Sequence, residues 1–231
     1  MKELYGYRKV FCIIPARGGS QGLPRKNVLE IAGKPLILHS IDIAKKIKYI
    51  DKIFVSTDNR EIKEISLRNN VAVIDRPPLL ATDTANVLDA IKHAITKINE
   101  ENVIIVLFFP TSPYRQVKDM EKCIEMYDEN VDCVVSITEV KEHTAWLCTK
   151  KNDLLEFLQK GNHVPNRQQQ KDIIYHMTGS IIVTNSTFLQ KQVDTFVGGK
   201  IKGFLLDEKY SLDIDTKFDF DVCKFVLESF E

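Results

Sequence analysis

The stretch "IIPARGGSQGLPRKN", Ile13 to Asn27, begins as an apolar strand and continues as a loop rich in glycine and basic residues. Its glycines allow backbone N–H groups to converge on one point, as they do where proteins bind anions. Arg17 and Lys26 add two fixed positive charges to the same loop. Each of these residues alone would fit an ordinary solvated turn, but together, directly after a first strand, they favour a cradle for phosphate.

The same loop also contains Gly18, Ser20 and Gly22, which match the Gly-x-Ser-x-Gly pattern of the nucleophile elbow in α/β-hydrolases. That elbow needs a helix directly after the serine, whereas "LPRKN" is a poor helix start. A serine hydrolase that uses Ser20 is therefore a weakly supported alternative. The Walker A pattern is excluded, because no Gly-Lys-Ser/Thr follows at the required spacing.

The charged residues of the chain limit the kinds of molecule that it is expected to bind. Lysines plus arginines number 32 and so do aspartates plus glutamates, which gives the 231-residue chain a net charge of zero. A general binder of nucleic acids or of membrane surfaces needs a basic excess, so neither is expected.

The five cysteines are widely spaced and lack a CxxC pair, which favours reduced thiols. The start "MKELYGYRKV" has no apolar signal region, and we expect a cytoplasmic protein.

Short apolar runs alternate with segments of helical period along most of the chain. The predicted strands are Val10 to Ile14, "KIFVST", "VAVID", "VIIVLFFP", "CVVSIT", "SIIVTN" and "GFLLD". The predicted helices are Leu36 to Ile47, Glu61 to Asn69, Asn86 to Ile98, Lys118 to Tyr127 and Lys217 to Phe230. This alternation predicts an α/β fold with a mostly parallel sheet that binds its ligand at the carboxyl ends of the strands.

The alternation lapses between residues 139 and 175, where "HTAWLC", "LLEFLQ" and "NHVPNRQQQKD" form no further strand–helix unit. We interpret the chain, residues 1–231, as a single domain whose sheet is interrupted by an inserted arm.

A second candidate site lies in "SLDIDTKFDFD". In an extended segment Asp213 and Asp215 point to one side, while Ile214 between them points into the core. Two carboxylates on one side suit Mg²⁺, which takes few protein oxygens. The alternative is that the acids belong to a helix start, where Thr216 and Asp219 read as a capping box. We accept that alternative for Asp219 and favour the metal for Asp213.

Taken in order, "IIPARGGSQGLPRKN", "RPPLLATDTA", "PTSPYR", "VPNRQQQ…Y…TGSIIV" and "SLDIDTKFDFD" resemble the acylneuraminate (CMP-sialic acid) cytidylyltransferases over nearly the whole chain. Members of that family convert CTP and a nonulosonic acid into a CMP-sugar and pyrophosphate. The resemblance implies a Rossmann-like, glycosyltransferase-A-like nucleotidyltransferase fold and dependence on Mg²⁺. It also implies a homodimer in which residues 139–175 form an arm over the partner's active site. A CMP-Kdo-type synthetase, acting on an eight-carbon 3-deoxy sugar acid, is the second candidate.

The resemblance also assigns roles to individual residues. It implies catalytic roles for Arg17, Lys26, Asp213 and Asp215, with the two aspartates as metal ligands. The implied nucleotide-binding residues are Ala16, Arg17, Gly18, Ser20, Lys26, Asn27, Arg76, Ala81, Asp83 and Thr84. The implied sugar-binding residues are Phe109, Arg167, Tyr175 and Thr178, with Arg167 at the sugar carboxylate.

Several of these residues have simpler interpretations. Arg76 would fit an ordinary surface arginine, and Asp83 or Thr84 would fit a cap for the helix from Asn86. Tyr175 would fit simple packing. Arg115, in "PTSPYR", would fit a residue that closes a turn after Pro113.

Three positions depart from the family pattern. Gln21 replaces a lysine of the loop, a loss for which Arg25 is a candidate compensation. Phe109 stands where glutamine is usual, and Thr178 stands where asparagine is usual. The last two belong to the family's sugar pocket. Because Phe109 offers an apolar face where glutamine would bond a hydroxyl, we expect a sugar less hydroxylated than N-acetylneuraminate, with a dideoxy diacylamino acid such as legionaminic acid as the leading candidate, while Thr178 is a residue that would restore a hydrogen bond.

Overall fold

A seven-stranded sheet forms the centre of the computed structural model, which describes residues 9–141, 146–158 and 173–229. Its strands are β1 (Val10–Pro15), β4 (Lys52–Thr57), β5 (Ala72–Asp75), β6 (Ile104–Leu107), β7 (Cys133–Glu139), β10 (Tyr175–Asn185) and β11 (Ile201–Leu205). Two short hairpins are β2 (Glu30–Ile31) with β3 (Lys34–Pro35), and β8 (Cys148–Lys151) with β9 (Leu154–Phe157). The helices are α1 (Leu36–Lys46), α2 (Arg60–Arg68), α3 (Val87–Ile98), α4 (Val117–Glu125), α5 (Ser186–Lys191) and α6 (Lys217–Ser229).

The sheet order is β11-β7-β10-β6-β1-β4-β5. Strand β1 runs parallel to both β4 and β6, and β5 runs parallel to β4. Strand β10 is antiparallel to β6 and to β7, and β11 is again parallel to β7. The mostly parallel sheet predicted from the alternating pattern is confirmed.

Helix boundaries agree with the periodicity to within a few residues, because local capping residues define them. The side chains of Asn59, Asn86 and Asn185 accept backbone hydrogen bonds at the starts of α2, α3 and α5. Since Asn86 caps α3, Asp83 and Thr84 are not its cap, and that simpler interpretation is wrong.

Three groups of buried apolar residues stabilise the fold. Two of them fill the space between the sheet and its helices. The third joins the first loop to the end of the chain, since Leu23, Ile31 and Leu36 pack with Ile214 and Phe220. This last group brings the glycine-rich loop and the aspartate segment to the same edge of the sheet.

The irregular segment predicted between residues 139 and 175 is described only in part. Its described portion includes the hairpin β8–β9, whose residues are exposed. Within the ranges that the structure describes, none of the helices is both long and apolar enough to span a lipid bilayer.

Candidate functional site

A cavity of about 480 Å³ lies at the carboxyl ends of the central strands. Its lining comes from the loop after β1, the segment after β5 and the residues after β6. The predicted residues on its wall are Arg17, Ser20, Lys26, Asn27, Arg76, Asp83 and Phe109. The cavity therefore occupies the place where parallel sheets bind ligands.

The glycine-rich loop is fixed by contacts at both of its ends. The Gly18 N–H donates to Asp58 Oδ1 at 2.9 Å, and Asn27 Nδ2 donates to the Arg17 carbonyl at 2.9 Å. The Gly18 Cα packs against Asn59, because a methyl group there would lie 2.8 Å from that side chain. Sequence reasoning missed Asp58, although its place directly after β4 is a usual position for a site residue.

Arg17 joins this loop to the segment after β5. Its Nη1 donates to the Thr82 carbonyl at 2.6 Å, and its Nη2 lies 3.2 Å from Asp83 Oδ1. Ala81 and Thr84 belong to the same segment but are not in the cavity wall. Ala16 is buried, with its N–H bonded to the Ser56 carbonyl, so it supports the wall from behind.

Lys26 connects the loop to the aspartate segment. Its ammonium group is nearly buried and donates to the Ile214 carbonyl and to Asp215 Oδ1, the latter at 3.1 Å. Gly22 lies against the same segment, since a methyl group there would be 2.2 Å from the Asp215 carbonyl oxygen. The two candidate sites of the sequence thus form one site.

Asp213 and Asp215 are exposed, whereas Ile214 is fully buried and donates its N–H to the Thr111 carbonyl at 2.8 Å. The predicted alternation of this segment is confirmed. Among the described residues no group of three or more carboxylate, imidazole or thiolate side chains could hold a metal. A pair of exposed carboxylates next to the loop that carries Arg17 and Lys26 still fits Mg²⁺, which completes its shell with water and phosphate oxygens.

The capping box is confirmed at the start of α6. The Asp219 carboxylate accepts from the Thr216 N–H at 2.7 Å, and Thr216 Oγ1 accepts from the Asp219 N–H at 3.2 Å. The backbone hydrogen bond from Thr216 is the main reason that the pKa of Asp219 lies below its ordinary value. Asp219 is therefore a structural residue of the helix start.

Arg76 is buried, so its interpretation as a surface arginine is wrong. It donates to the Ser56 carbonyl at 2.8 Å and to Ser56 Oγ at 3.2 Å. The pKa of the guanidinium is lowered to about 10, mainly by burial; Asp58 opposes this shift and the nearby Arg17 adds to it. Arg76 thus adds a third cation to the wall that Arg17 and Lys26 line.

The predicted sugar-binding residues are only partly brought together. Phe109 lines the cavity and packs on Phe196, with ring centroids 5.5 Å apart. Thr178 is buried, and its hydroxyl lies 2.6 Å from Ser136 Oγ instead of in the cavity wall. Tyr175 is exposed at the start of β10 and is not in that wall either. Arg167 lies outside the described residues.

Two further expectations concern the first loop: that Arg25 compensates for Gln21, and that Ser20 belongs to a hydrolase elbow. Gln21 is exposed, and Arg25 forms an ion pair with Glu61 at 2.5 Å, so the Arg25 charge is already paired with a carboxylate. The loop ends in a short 3₁₀ turn over Lys26–Val28, and α1 begins only at Leu36. The strand–serine–helix arrangement that a hydrolase elbow needs around Ser20 is not formed.

Comparison with known proteins gives a consistent result. The family model described as "Cytidylyltransferase" matches residues 11–222. The chain is 37% identical over 216 residues to an N-acylneuraminate cytidylyltransferase of Streptococcus agalactiae serotype V. The aligned region covers 92% of this chain and 52% of that protein. The chain therefore spans about half the length of that relative. It is 30% identical to a CMP-N,N'-diacetyllegionaminic acid synthase of Legionella pneumophila, with 95% of this chain and 97% of that protein covered.

Among solved structures, the fold is similar to CMP:2-keto-3-deoxy-manno-octonic acid synthetase complexed with CTP. The TM-score is 0.74 at 17% identity, over 96% of this chain and 99% of the other. At this identity the match establishes the shared α/β nucleotidyltransferase fold.

The contact between Gly22 and Asp215 gives the first prediction. We expect Gly22→Ala to reduce the free energy of unfolding by about 1–3 kcal/mol, because the added methyl group must displace backbone. Gly19→Ala is the matched control in the same loop, since a methyl group there meets no described atom within 4 Å. Urea unfolding of both variants measures the difference, and equal stabilities would show that the loop does not pack on Asp215 as described.

Proposed function

The chain belongs to the cytidylyltransferase family, and on that basis we propose that it transfers CMP from CTP to the anomeric hydroxyl of a nonulosonic acid. The observation that supports this most is the position of Lys26, which lines the cavity with the cationic loop and bonds the aspartate segment at the Ile214 carbonyl and Asp215. Relatives over most of the chain carry the names of N-acylneuraminate, legionaminic acid and pseudaminic acid cytidylyltransferases.

In the proposed reaction, the anomeric hydroxyl gives up its proton to solvent as its oxygen forms a bond to the α-phosphorus of CTP. The bond from that phosphorus to the bridging oxygen breaks, and pyrophosphate leaves with its electron pair. Both substrates are anions and the hydroxyl is a weak nucleophile, so the site must offset negative charge and align the groups. Arg17 and Lys26, held by Thr82, Asp83 and Asp215, supply positive charge in fixed positions for the departing pyrophosphate.

Asp213 and Asp215 are the proposed ligands of Mg²⁺. When bound, the ion would supply a Lewis acid that offsets phosphate charge and favours ionisation of a hydroxyl group. The Asp215 side chain is 77% exposed even though one of its oxygens bonds to Lys26, so it retains oxygen surface for a further ligand. The buried Ile214 between the pair keeps both carboxylates at the surface of the site.

The sugar is proposed from the apolar character of the cavity wall at Phe109. A phenyl ring offers no hydrogen bond, and the Thr178 hydroxyl is already bonded to Ser136. A sugar hydroxyl buried against this wall without a partner would lose roughly 1–3 kcal/mol. We therefore propose a dideoxy diacylamino acid of the legionaminic type, with N-acetylneuraminate and an eight-carbon 3-deoxy acid as the alternatives.

A homodimer is proposed from the exposed apolar surface of the β8–β9 hairpin and the start of β10. Leu154 is 73% exposed, Leu155 and Phe157 of the same hairpin are exposed as well, and so is Met177 near the start of β10. Apolar surface of this kind is typical of an interface between chains. We also propose that the enzyme acts in the cytoplasm, because all five cysteines are free, as expected in a reducing compartment.

The proposed activity predicts release of pyrophosphate from CTP, and not from ATP, GTP or UTP, when a nonulosonic acid and Mg²⁺ are present. We expect Asp215→Asn to lower kcat by about 10²–10³, the usual cost of losing one electrostatic contact of a preorganised site. Asp221→Asn is the control, because this aspartate pairs with Lys217 on α6. Turnover that is indifferent to the nucleotide, or wild-type turnover in Asp215→Asn, would contradict the proposal.

The sugar proposal predicts that kcat/KM is higher for legionaminic acid than for N-acetylneuraminate. In Phe109→Gln we expect the ratio to move towards N-acetylneuraminate, because an amide can bond the extra hydroxyl. Phe218→Gln is a control that exchanges the same residue types at an exposed position on α6. A wild type that prefers N-acetylneuraminate, or a ratio unmoved by Phe109→Gln, would show that Phe109 does not select the sugar.

The interface proposal predicts a dimer at micromolar concentration. We expect the double variant Leu154→Asp with Phe157→Asp to sediment as a monomer, because four carboxylates would be buried across a two-fold interface. Leu67→Asp, on the exposed face of α2, is the control and should remain dimeric. Sedimentation velocity measures the oligomeric state of each variant. If the unmodified chain is a fully active monomer, the proposed interface is wrong.

A further inference from the structure

Arg115 is a buried cation behind the cavity wall, with 3% of the residue exposed. Its Nε donates to the Ser180 carbonyl at 2.6 Å, and its Nη2 donates to the Phe109 carbonyl at 2.6 Å. Its Nη1 donates to Ser40 Oγ at 3.0 Å. One planar group thus joins the end of β6, the middle of β10 and helix α1.

Among the described carboxylates, none is a direct partner of this guanidinium, and only the more distant Asp213 partly offsets the effect of burial by raising its pKa. No Asp or Glu of the described residues lies within ion-pair distance of it, and its three acceptors are neutral. The Phe108 ring lies 4.6 Å from the guanidinium carbon, and burial lowers the pKa of Arg115 to about 9. Burying an unpaired charge is costly, so a neutral residue would suit a purely structural position better.

The loop that leads to Arg115 carries contacts to the aspartate segment as well. Thr111, in this loop, accepts the Ile214 N–H at 2.8 Å. Tyr114 packs on Tyr210, with ring centroids 4.9 Å apart. The segment from Phe109 to Arg115 is therefore held on one side to β10 and on the other side to the residues that present Asp213 and Asp215.

We infer that Arg115 is a positioning residue that fixes the Phe109 wall relative to the aspartate pair, and so sets the geometry of the sugar side of the site. This inference rests on the proposed function for its kinetic consequences. Its three donors occupy a fixed planar fork, which a lysine cannot reproduce even though it keeps the charge. The nucleotide side, held by Asp58, Ser56 and Thr82, does not depend on these bonds.

The test compares Arg115→Lys with Arg60→Lys, a control at an exposed arginine paired with Glu64 on α2. In Arg115→Lys we expect KM for the sugar acid to rise about tenfold to a hundredfold, as displaced reacting groups do. The Kd for CTP, measured by calorimetry without sugar, should stay within about twofold of the wild-type value. The inference would be overturned if the KM for the sugar acid and the Kd for CTP rose equally, or if neither changed. A merely structural role does not predict that the sugar KM rises while the CTP Kd stays the same.

A second measurement does not depend on turnover. Hydrogen exchange should show faster exchange of the Ile214 amide in Arg115→Lys than in Arg60→Lys, since the Thr111 carbonyl that holds it is no longer fixed. Unchanged exchange would overturn the inference even if the chain transfers no CMP, whereas an inactive wild type would refute only the proposed function. If Arg115→Lys does not fold, Ser40→Ala takes its place: a selective rise in sugar KM supports the inference, and wild-type kinetics contradict it.

Discussion

The ammonium group of Lys26 joins residues that are 188 positions apart in the chain, and the arrangement of the site depends on this contact. It bonds the Ile214 carbonyl and the Asp215 carboxylate, while Gly22 approaches the same backbone too closely to carry a side chain. Arg25, directly before it, adopts a left-handed conformation with φ of 57°. Such a conformation is unusual for a residue with a side chain, and it is tolerated where surrounding contacts fix the backbone.

The cations of the candidate site reconcile the zero net charge of the chain with the anionic substrates proposed for it. Arg17, Lys26 and Arg76 all line one cavity, and Arg115 lies behind it. Each is held by carbonyl, hydroxyl or carboxylate groups, so its position is set before any ligand arrives. Fixed charges of this kind stabilise a charged transition state without the cost of reorganising the site. The overall charge balance therefore argues against general polyanion binding and is compatible with a local phosphate site.

Local pattern was enough to predict much of the fold and part of the site. The strands and helices follow from apolar periodicity, the Ile214 alternation from strand geometry, and the capping box from the spacing of Thr216 and Asp219. Each of these features is set by residues that are close together in the sequence, so a single sequence is enough to predict it. The ordered motifs then resemble those of one family, the cytidylyltransferases. The match of that family's model to residues 11–222 confirms the assignment.

What the sequence did not reveal depends on contacts between distant segments. Arginine is usually exposed, so nothing local marks Arg76 as buried on Ser56 or Arg115 as bonded to β10. Asp58 bonds Gly18 across 40 positions, and Thr178 finds Ser136 across 42. Such pairs have no spacing rule, and only the packed sheet brings them together.

The most direct measurement is a crystal structure of the protein with CTP and Mg²⁺. We expect the triphosphate on the loop of residues 17–27, with the ion between its oxygens and the Asp213–Asp215 pair and with Lys26 still bonded to the aspartate segment. A nucleotide bound outside the cavity, or an ion bound away from both aspartates, would contradict the conclusion that the loop and the aspartate pair form one site.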